Sequence, residues 1–157
     1  LPAVCLRYFN VYGPRQDPNS TYAAVIPRFI TAALEGRAPV VYGDGQQTRD
    51  FTFVADAVQA NLLAAEAAGL GPAEVFNVAC GRRISLLELL AEIGAIVGVT
   101  IVAQHAAPRD GDIRHSQADI GKARRLLGYV PTHDVGEGLR ETVAWFAERF
   151  SRLPTAN

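Results

Sequence analysis

The sequence contains no methionine, and its only lysine is Lys122. With no initiator in it, and with Leu1 opening directly on an apolar run, it is expected to be a piece of a longer chain. No apolar run approaches the ~20 residues that cross a bilayer as a helix, and no leader pattern opens it, so no membrane partner is expected. The formal net charge of -1 gives no basic excess to attract nucleic acid. Cys5 and Cys80 make neither a CxxC pair nor a dense framework, which suits a reducing, cytoplasmic setting and disfavours a disulfide between them. His105, His115 and His133 fall in no HxxxH or Cys/His cluster, which argues against a metal site, and no nucleophile–His–acid set stands out. The glycines nowhere fall as GxGxxG or GxxGxxG, the spacing that cradles a dinucleotide pyrophosphate. Four residues before Lys122 stands Ala118, so a tyrosine–lysine proton-transfer pair at that spacing is missing too.

What remains is the composition of an ordinary globular domain, 49% hydrophobic and 20% charged, long enough to bury a core. Ala3-Val4-Cys5-Leu6 continuing to Tyr8-Phe9, broken by Arg7, predicts a strand buried on most of its surface. Gly13-Pro14 and Asp17-Pro18-Asn19 mark a loop over residues 10–20. Ile26, Phe29, Ile30, Ala33 and Leu34 recur at helical spacing over about 23–34, with Gly36 to end the helix. Val40-Val41-Tyr42 and Phe51-Thr52-Phe53-Val54 predict short strands, separated by the Gly43-Asp44-Gly45 turn. A helix is expected over about 55–68 with Val58, Leu62 and Ala65 on one face, then an alternating strand over 74–79. Ser85 and Glu88 fit a capping box opening a helix that ends near Gly98. Ile101-Val102 predicts a brief strand, Asp119 caps a helix closing at Gly128, and Asp134 opens a last helix bearing Leu139, Val143, Phe146 and Phe150. The fold class is α/β, with mixed short strands and four or five helices.

Four blocks carry the chemistry. They are 6–16 (LRYFNVYGPRQ), 22–27 (YAAVIP), Gly43-Asp44-Gly45 with Thr48-Arg49-Asp50-Phe51, and Arg109-Asp110-Gly111-Asp112. In this order they resemble the extended short-chain dehydrogenase/reductases of the NAD-dependent epimerase/dehydratase family. The tract from Tyr8 to Pro27 is most similar to UDP-hexose 4-epimerases, especially those that accept N-acetylated sugars. The resemblance covers nearly the whole chain. It implies the C-terminal, substrate-binding portion of an extended Rossmann-type fold, lacking the N-terminal dinucleotide-binding sheet. Residues 1–20 would supply the last strand of that sheet and its following loop, and 21–157 the substrate-binding subdomain.

Independently of any family, a sugar nucleotide asks for fixed cations at its diphosphate and a planar wall at its base. Arg49 and Arg109 suit bidentate contact with phosphate oxygens, and Asp112 on its Gly-containing turn suits ribose hydroxyls. The resemblance assigns the same roles. It also places Asn10 on the substrate and Phe9 against the nicotinamide region of NAD, although Phe9 in a core and Asn10 in a turn is the plainer alternative. Ala24 and Val25, at a helix start, map to phosphate- or sugar-side contacts. Val40 and Tyr42 map to the uracil strand with Tyr42 as stacking ring, against the alternative of ordinary strand packing. Ser116 maps beside the sugar's C2 substituent, where a small side chain leaves room for an N-acetyl group; an ordinary loop serine is the alternative. Arg82-Arg83 and Arg124-Arg125 have no such context and are expected to face solvent.

The expected ligand is therefore a UDP-hexose or UDP-N-acetylhexosamine. In the whole enzyme the resemblance implies oxidation at C4 by tightly held NAD, rotation of the ketose and re-reduction. No catalytic residue is assigned within this sequence, NAD is not expected to bind tightly to it alone, and turnover by it alone is not expected. The expected partner is an N-terminal Rossmann half, with association through the exposed edge of the first strand. Two rivals stand beside this reading: another NAD-dependent nucleotide-sugar dehydratase or decarboxylase, and a non-catalytic binding module or one half of a split enzyme.

Overall fold

The computed structural model describes residues 3–19 and 25–152. Strand β1 (Ala3–Tyr8) is followed by β2 (Val11–Tyr12), helix α1 (Val25–Leu34), β3 (Val40–Tyr42), β4 (Thr48–Arg49) and β5 (Thr52–Phe53). Helix α2 (Val54–Glu66) leads to β6 (Ala73–Val78), β7 (Ile84–Ser85), α3 (Leu86–Val97), β8 (Gln104–Ala106), α4 (Gly121–Leu127) and α5 (Val135–Ser151). The strands pair two by two: β1 with β6, β2 with β5 and β3 with β8 in parallel, and β4 with β7 antiparallel. The boundary expected at residue 20 thus falls between two strands, β1 and β6, that are hydrogen-bonded neighbours. Parallel neighbours need crossover connections, and α1, α2 and α3 lie within those connections.

Two cores form. The first gathers Ile26, Phe29 and Ile30 of α1, Leu89, Leu90 and Ile93 of α3, and Leu139, Val143 and Phe146 of α5, around Tyr12, Phe51 and Phe53. Its helices are legible because their apolar residues repeat at three and four positions, so each presents one stripe inward. The second core lies between the β1–β6 pair and helices α2 and α4, with Phe76, Val78, Ala57, Ala60, Ala123, Leu127 and Tyr129.

The capping box expected at Ser85 is present, and Asp134, expected only to open α5, forms a second one. Ser85 Oγ accepts from Glu88 N–H at 3.2 Å while Ser85 N–H donates to Glu88 Oε2 at 2.8 Å. Asp134 and Glu137 repeat the exchange at 2.7 and 2.9 Å, so each box satisfies two N–H groups that the first helical turn leaves orphaned. Asp119 caps from just outside α4, accepting from Gly121 N–H at 2.7 Å.

Three local expectations are corrected. Strand β1 is not buried on most of its surface: Val4 and Leu6 turn half-buried toward the second core, while Cys5, Arg7 and Tyr8 are exposed. Only one face is covered, so its side chains alternate rather than all lying inside. On α2 the buried residues are Asp56, Ala57 and Ala60, and the Val58–Leu62 stripe points outward at 53% and 59% exposure. Small residues let α2 approach its neighbours closely, and that contact overrides the apolar stripe. The strand expected at Ile101-Val102 falls at 104–106 instead, with Ile101 packed on the first core and Val102 exposed.

Helix α5 comes unusually near the first core at Gly138. A Cβ there would sit 2.3 Å from Tyr12 Oη and 2.7 Å from the Phe53 ring. Tyr12 is held by donating its hydroxyl hydrogen to Val135 O at 3.1 Å, so it has little room to yield.

Candidate functional site

A cleft of about 950 Å³ opens between α1 and the β3–β4 side of the molecule. One wall is a helical stripe of α1, Val25, Arg28, Ala32 and Glu35 beyond its end, recurring at three- and four-residue steps. The other is formed by Val40 and Tyr42 of β3, Arg49 of β4 and the 109–112 turn, with Asn10 and Phe51 beneath. Seven of the residues singled out in the sequence, Asn10, Val25, Val40, Tyr42, Arg49, Arg109 and Asp112, thus line a single cavity. Ala24 lies outside the described residues. Phe9 and Ser116 are not among the lining residues: Phe9 is half-buried against the second core, and Ser116 is half-buried with its N–H donating to Thr48 O at 3.0 Å. Arg82, Arg83, Arg124 and Arg125 are exposed, as expected.

The local backbone shows why these positions work. Asn10 takes φ 40°, a left-handed conformation that asparagine tolerates better than most residues, and its Nδ2 donates to Asp50 O at 2.8 Å. Gly45, at φ 75° in the Gly43-Asp44-Gly45 turn, would drive a Cβ to 2.7 Å from Leu87, so only glycine lets the turn settle on α3. The 109–112 turn closes with Asp112 N–H donating to Arg109 O at 3.2 Å.

The charged groups are more interlocked than sequence suggested. Arg49 and Asp112, expected to serve phosphate and ribose separately, form an ion pair with each other. Arg49 Nη1 also donates to Thr48 O at 2.9 Å and to Ile113 O, so several of its five N–H donors are engaged within the protein. The Arg109 guanidinium lies 3.8 Å from the centroid of the Tyr42 ring, covering one face of the ring expected to stack on a base. Hydrogen bonding from Arg109, and then its charge, lowers the pKa of the Tyr42 hydroxyl, with a weaker pull from Arg28.

The segment bearing Arg109 and Asp112 is strapped across the Gly43-Asp44-Gly45 turn. Arg114 donates through both terminal nitrogens to the two oxygens of Asp44 at 2.8 Å each. The Arg114 hydrogen bond, helped by Gln46 N–H, lowers the Asp44 pKa to about 2. Thr48 N–H donates to Arg114 O at 2.9 Å, and Thr48 Oγ1 lies 2.9 Å from His115 Nδ1. His105 Nδ1 lies 2.7 Å from Gly43 O at the other end of the strap.

Two buried carboxylates that sequence reasoning missed hold the frame behind the cleft. Asp50 accepts from Cys80 N–H and Gly81 N–H at 3.0 Å each and from Ala118 N–H at 3.2 Å, tying two distant segments to the residue next to Arg49. Burial raises its pKa, and these amide donors pull the other way. Asp56 accepts from Thr132 N–H and Oγ1 at 2.9 Å each, and its Oδ1 lies 3.1 Å from His133 Nδ1. Neither role is visible in sequence, because the partners lie 30 to 77 residues away. Burial, and then the charges of Asp50 and Asp56, raise the Cys80 thiol to about 11.

No dinucleotide cradle is formed by the described residues. Two strands run directly into helices, β5 into α2 through Phe53–Val54 and β7 into α3 through Ser85–Leu86, with no glycine at either junction. The residues present do not fit NAD by themselves. Among the described residues no group of three or more His, Cys, Asp or Glu side chains could hold a metal ion, and no helix is long and apolar enough to cross a membrane.

The scaffold is α/β, and its guanidiniums, carboxylates and tyrosine converge on one cleft. Residues 1–79 match the NAD dependent epimerase/dehydratase family, and the chain belongs to that family. It is 41% identical to the UDP-glucose 4-epimerase of Mycolicibacterium smegmatis, over 89% of this chain and 44% of the relative. It is 37% identical to the UDP-N-acetyl-alpha-D-glucosaminuronate decarboxylase of Bacillus cytotoxicus, over 94% and 47%. The UDP-N-acetylglucosamine 4-epimerase of Methanobrevibacter ruminantium, solved in complex with UDP-N-acetylmuramic acid, superposes with a TM-score of 0.88 at 46% identity, over 95% of this chain and 47% of that one. The chain therefore spans about half the length of the relatives it matches, and corresponds to the C-terminal half of the family fold.

Proposed function

We propose that this chain is the sugar-nucleotide-binding portion of an NAD-dependent UDP-hexose 4-epimerase. The observation that carries the reading is the convergence of Asn10, Tyr42, Arg49, Arg109 and Asp112 on one cleft. There Arg109 grips the diphosphate, Arg49 joins it while orienting Asp112 toward the ribose, and the β3 wall with Tyr42 flanks the base. For a base to stack on the face that Arg109 now covers, the guanidinium must swing off the ring toward the phosphates. Each charge-assisted bond to phosphate contributes about 1.5–3 kcal/mol. Residues 1–20, with β6 that pairs with β1, supply strands and a loop of the nucleotide-binding sheet, and the rest of 21–157 the substrate-binding subdomain. The other half supplies the NAD cradle, with Phe9 facing the nicotinamide region, so this chain alone binds without turning substrate over.

The small Ser116 favours N-acetylated substrates, a preference supported by the likeness to a UDP-N-acetylglucosamine 4-epimerase. The match to a decarboxylase over 94% of the chain favours one second reading, a nucleotide-sugar decarboxylase of the same family. Epimerisation and CO₂ release are measured on the full protein with UDP-N-acetylglucosamine, UDP-glucose and UDP-N-acetylglucosaminuronate. Epimerisation of the first two without CO₂ from the third is the expected result, and Ser116→Tyr should remove N-acetyl activity first. CO₂ release with no epimerisation establishes the decarboxylase, and equal loss of both epimerase activities in Ser116→Tyr rejects the assigned role of Ser116.

A further inference from the structure

We infer that Arg28 is a further ligand-gripping residue of the cleft, taking the diphosphate from the α1 wall opposite Arg109. This rests on the nucleotide-binding reading above and adds a residue that the sequence blocks did not single out. Arg28 shares its helical stripe with Val25, Ala32 and Glu35, all lining the cavity, whereas Ile26, Ile30 and Ala33 on the far side of the helix are buried in the first core.

The charge balance of the cavity points the same way. Four arginines line it: Arg28, Arg37, Arg49 and Arg109. Arg37 is paired with Glu35 and Arg49 with Asp112. Among the described residues Arg28 and Arg109 have no carboxylate within salt-bridge distance, and Arg28 makes only a long bond from Nε to Pro18 O at 3.4 Å. Asp110 is the one other acid lining the cavity. Arg28 on the α1 wall and Arg109 on the 109–112 turn are therefore the two cleft guanidiniums left without an acid partner, the charge a diphosphate would need. The Tyr42 hydroxyl, lowered by Arg109 and more weakly by Arg28, agrees with both charges acting near the β3 wall.

Arg28 is exposed and sits on a helix, where alanine is at least as favourable, so removing it does not threaten the fold. The test titrates UDP, UMP and uridine into the full protein by calorimetry, for wild type, Arg28→Ala and Arg28→Lys. UDP affinity should fall about tenfold or more in Arg28→Ala with uridine unchanged, Arg28→Lys should retain part of it, and the difference should shrink in high salt as screening rises. UDP binding within about twofold of wild type, or an equal loss for UDP and uridine, overturns the role of Arg28 alone. A wild-type protein that ignores UDP overturns the nucleotide reading and this inference together.

Discussion

The two cores of this molecule are built on different terms. The first is closed by its own sequence: α1, α3 and α5 enclose Phe29, Phe51, Phe53 and Tyr12 with almost no exposure. The second is less closed, with Tyr8, Val58, Leu62 and Val75 between 42% and 59% exposed on β1, α2 and β6. The candidate site draws its wall and floor from the closed core, through α1, β3 and Phe51. The open side carries the free edge of β1, where we place the N-terminal half. A cleft wall built on a closed core and a half-covered sheet thus sit in one chain, and the difference teaches that the cleft's shape does not depend on the open side being covered.

That contrast can be broken by mutation. Phe29→Ala empties the closed core and should cost about 3–5 kcal/mol, read as a fall in the denaturant midpoint. Asp50→Ala strips three amides of their acceptor, and a loss of about 2–4 kcal/mol is expected, with ligand binding weakened as the 80–81 and 118 segments loosen. An unchanged midpoint for either variant would mean that the closed core does not carry the stability of the chain. The cysteines sharpen the comparison by pH. Cys80, raised to about 11, holds its proton more tightly when folded, so stability falls as pH climbs from the unfolded thiol's range toward 11. At pH 8 its thiolate fraction is about one in a thousand, and alkylation should label exposed Cys5 first. Comparable labelling of both thiols would contradict the burial assigned to Cys80. The smallest effect is expected at Leu62→Asp, within about 0.5 kcal/mol for this chain alone, yet the same change should weaken association with an N-terminal half. A large loss in the isolated chain would show that the stripe is covered internally.

Much of this was legible in sequence where the signal is local. The Ser85–Glu88 box, the helix start at Asp134, the α1 and α5 stripes and the Gly43-Asp44-Gly45 turn each follow from residues within a few positions. The convergence of Arg49 with the 109–112 turn rested instead on the order of four blocks, not on any periodicity. The rest was illegible for physical reasons. Strands β2, β4, β5 and β7 are two residues long, too short to show an alternation. On α2 hydrophobicity pointed to the wrong face, since Asp56 is buried by partners near residue 132 that its own helix does not reveal. Arg28 looked like any surface arginine until the ion pairs around it left it without an acid.

The bare backbone at Gly138 has a mechanical consequence. Helix α5 meets Tyr12 and Phe53 at the one place where no side chain intervenes, so sliding or turning the helix would push Leu139 or Glu137 into aromatic rings that cannot retreat. The helix is keyed to a single setting. Because Asp134 at its head adjoins His133, and His133 is tethered to Asp56, that key also sets the loop leading from α4. Adding even a methyl group would jam the lock, and the disturbance should surface at residues 132–134 before it reaches the cleft.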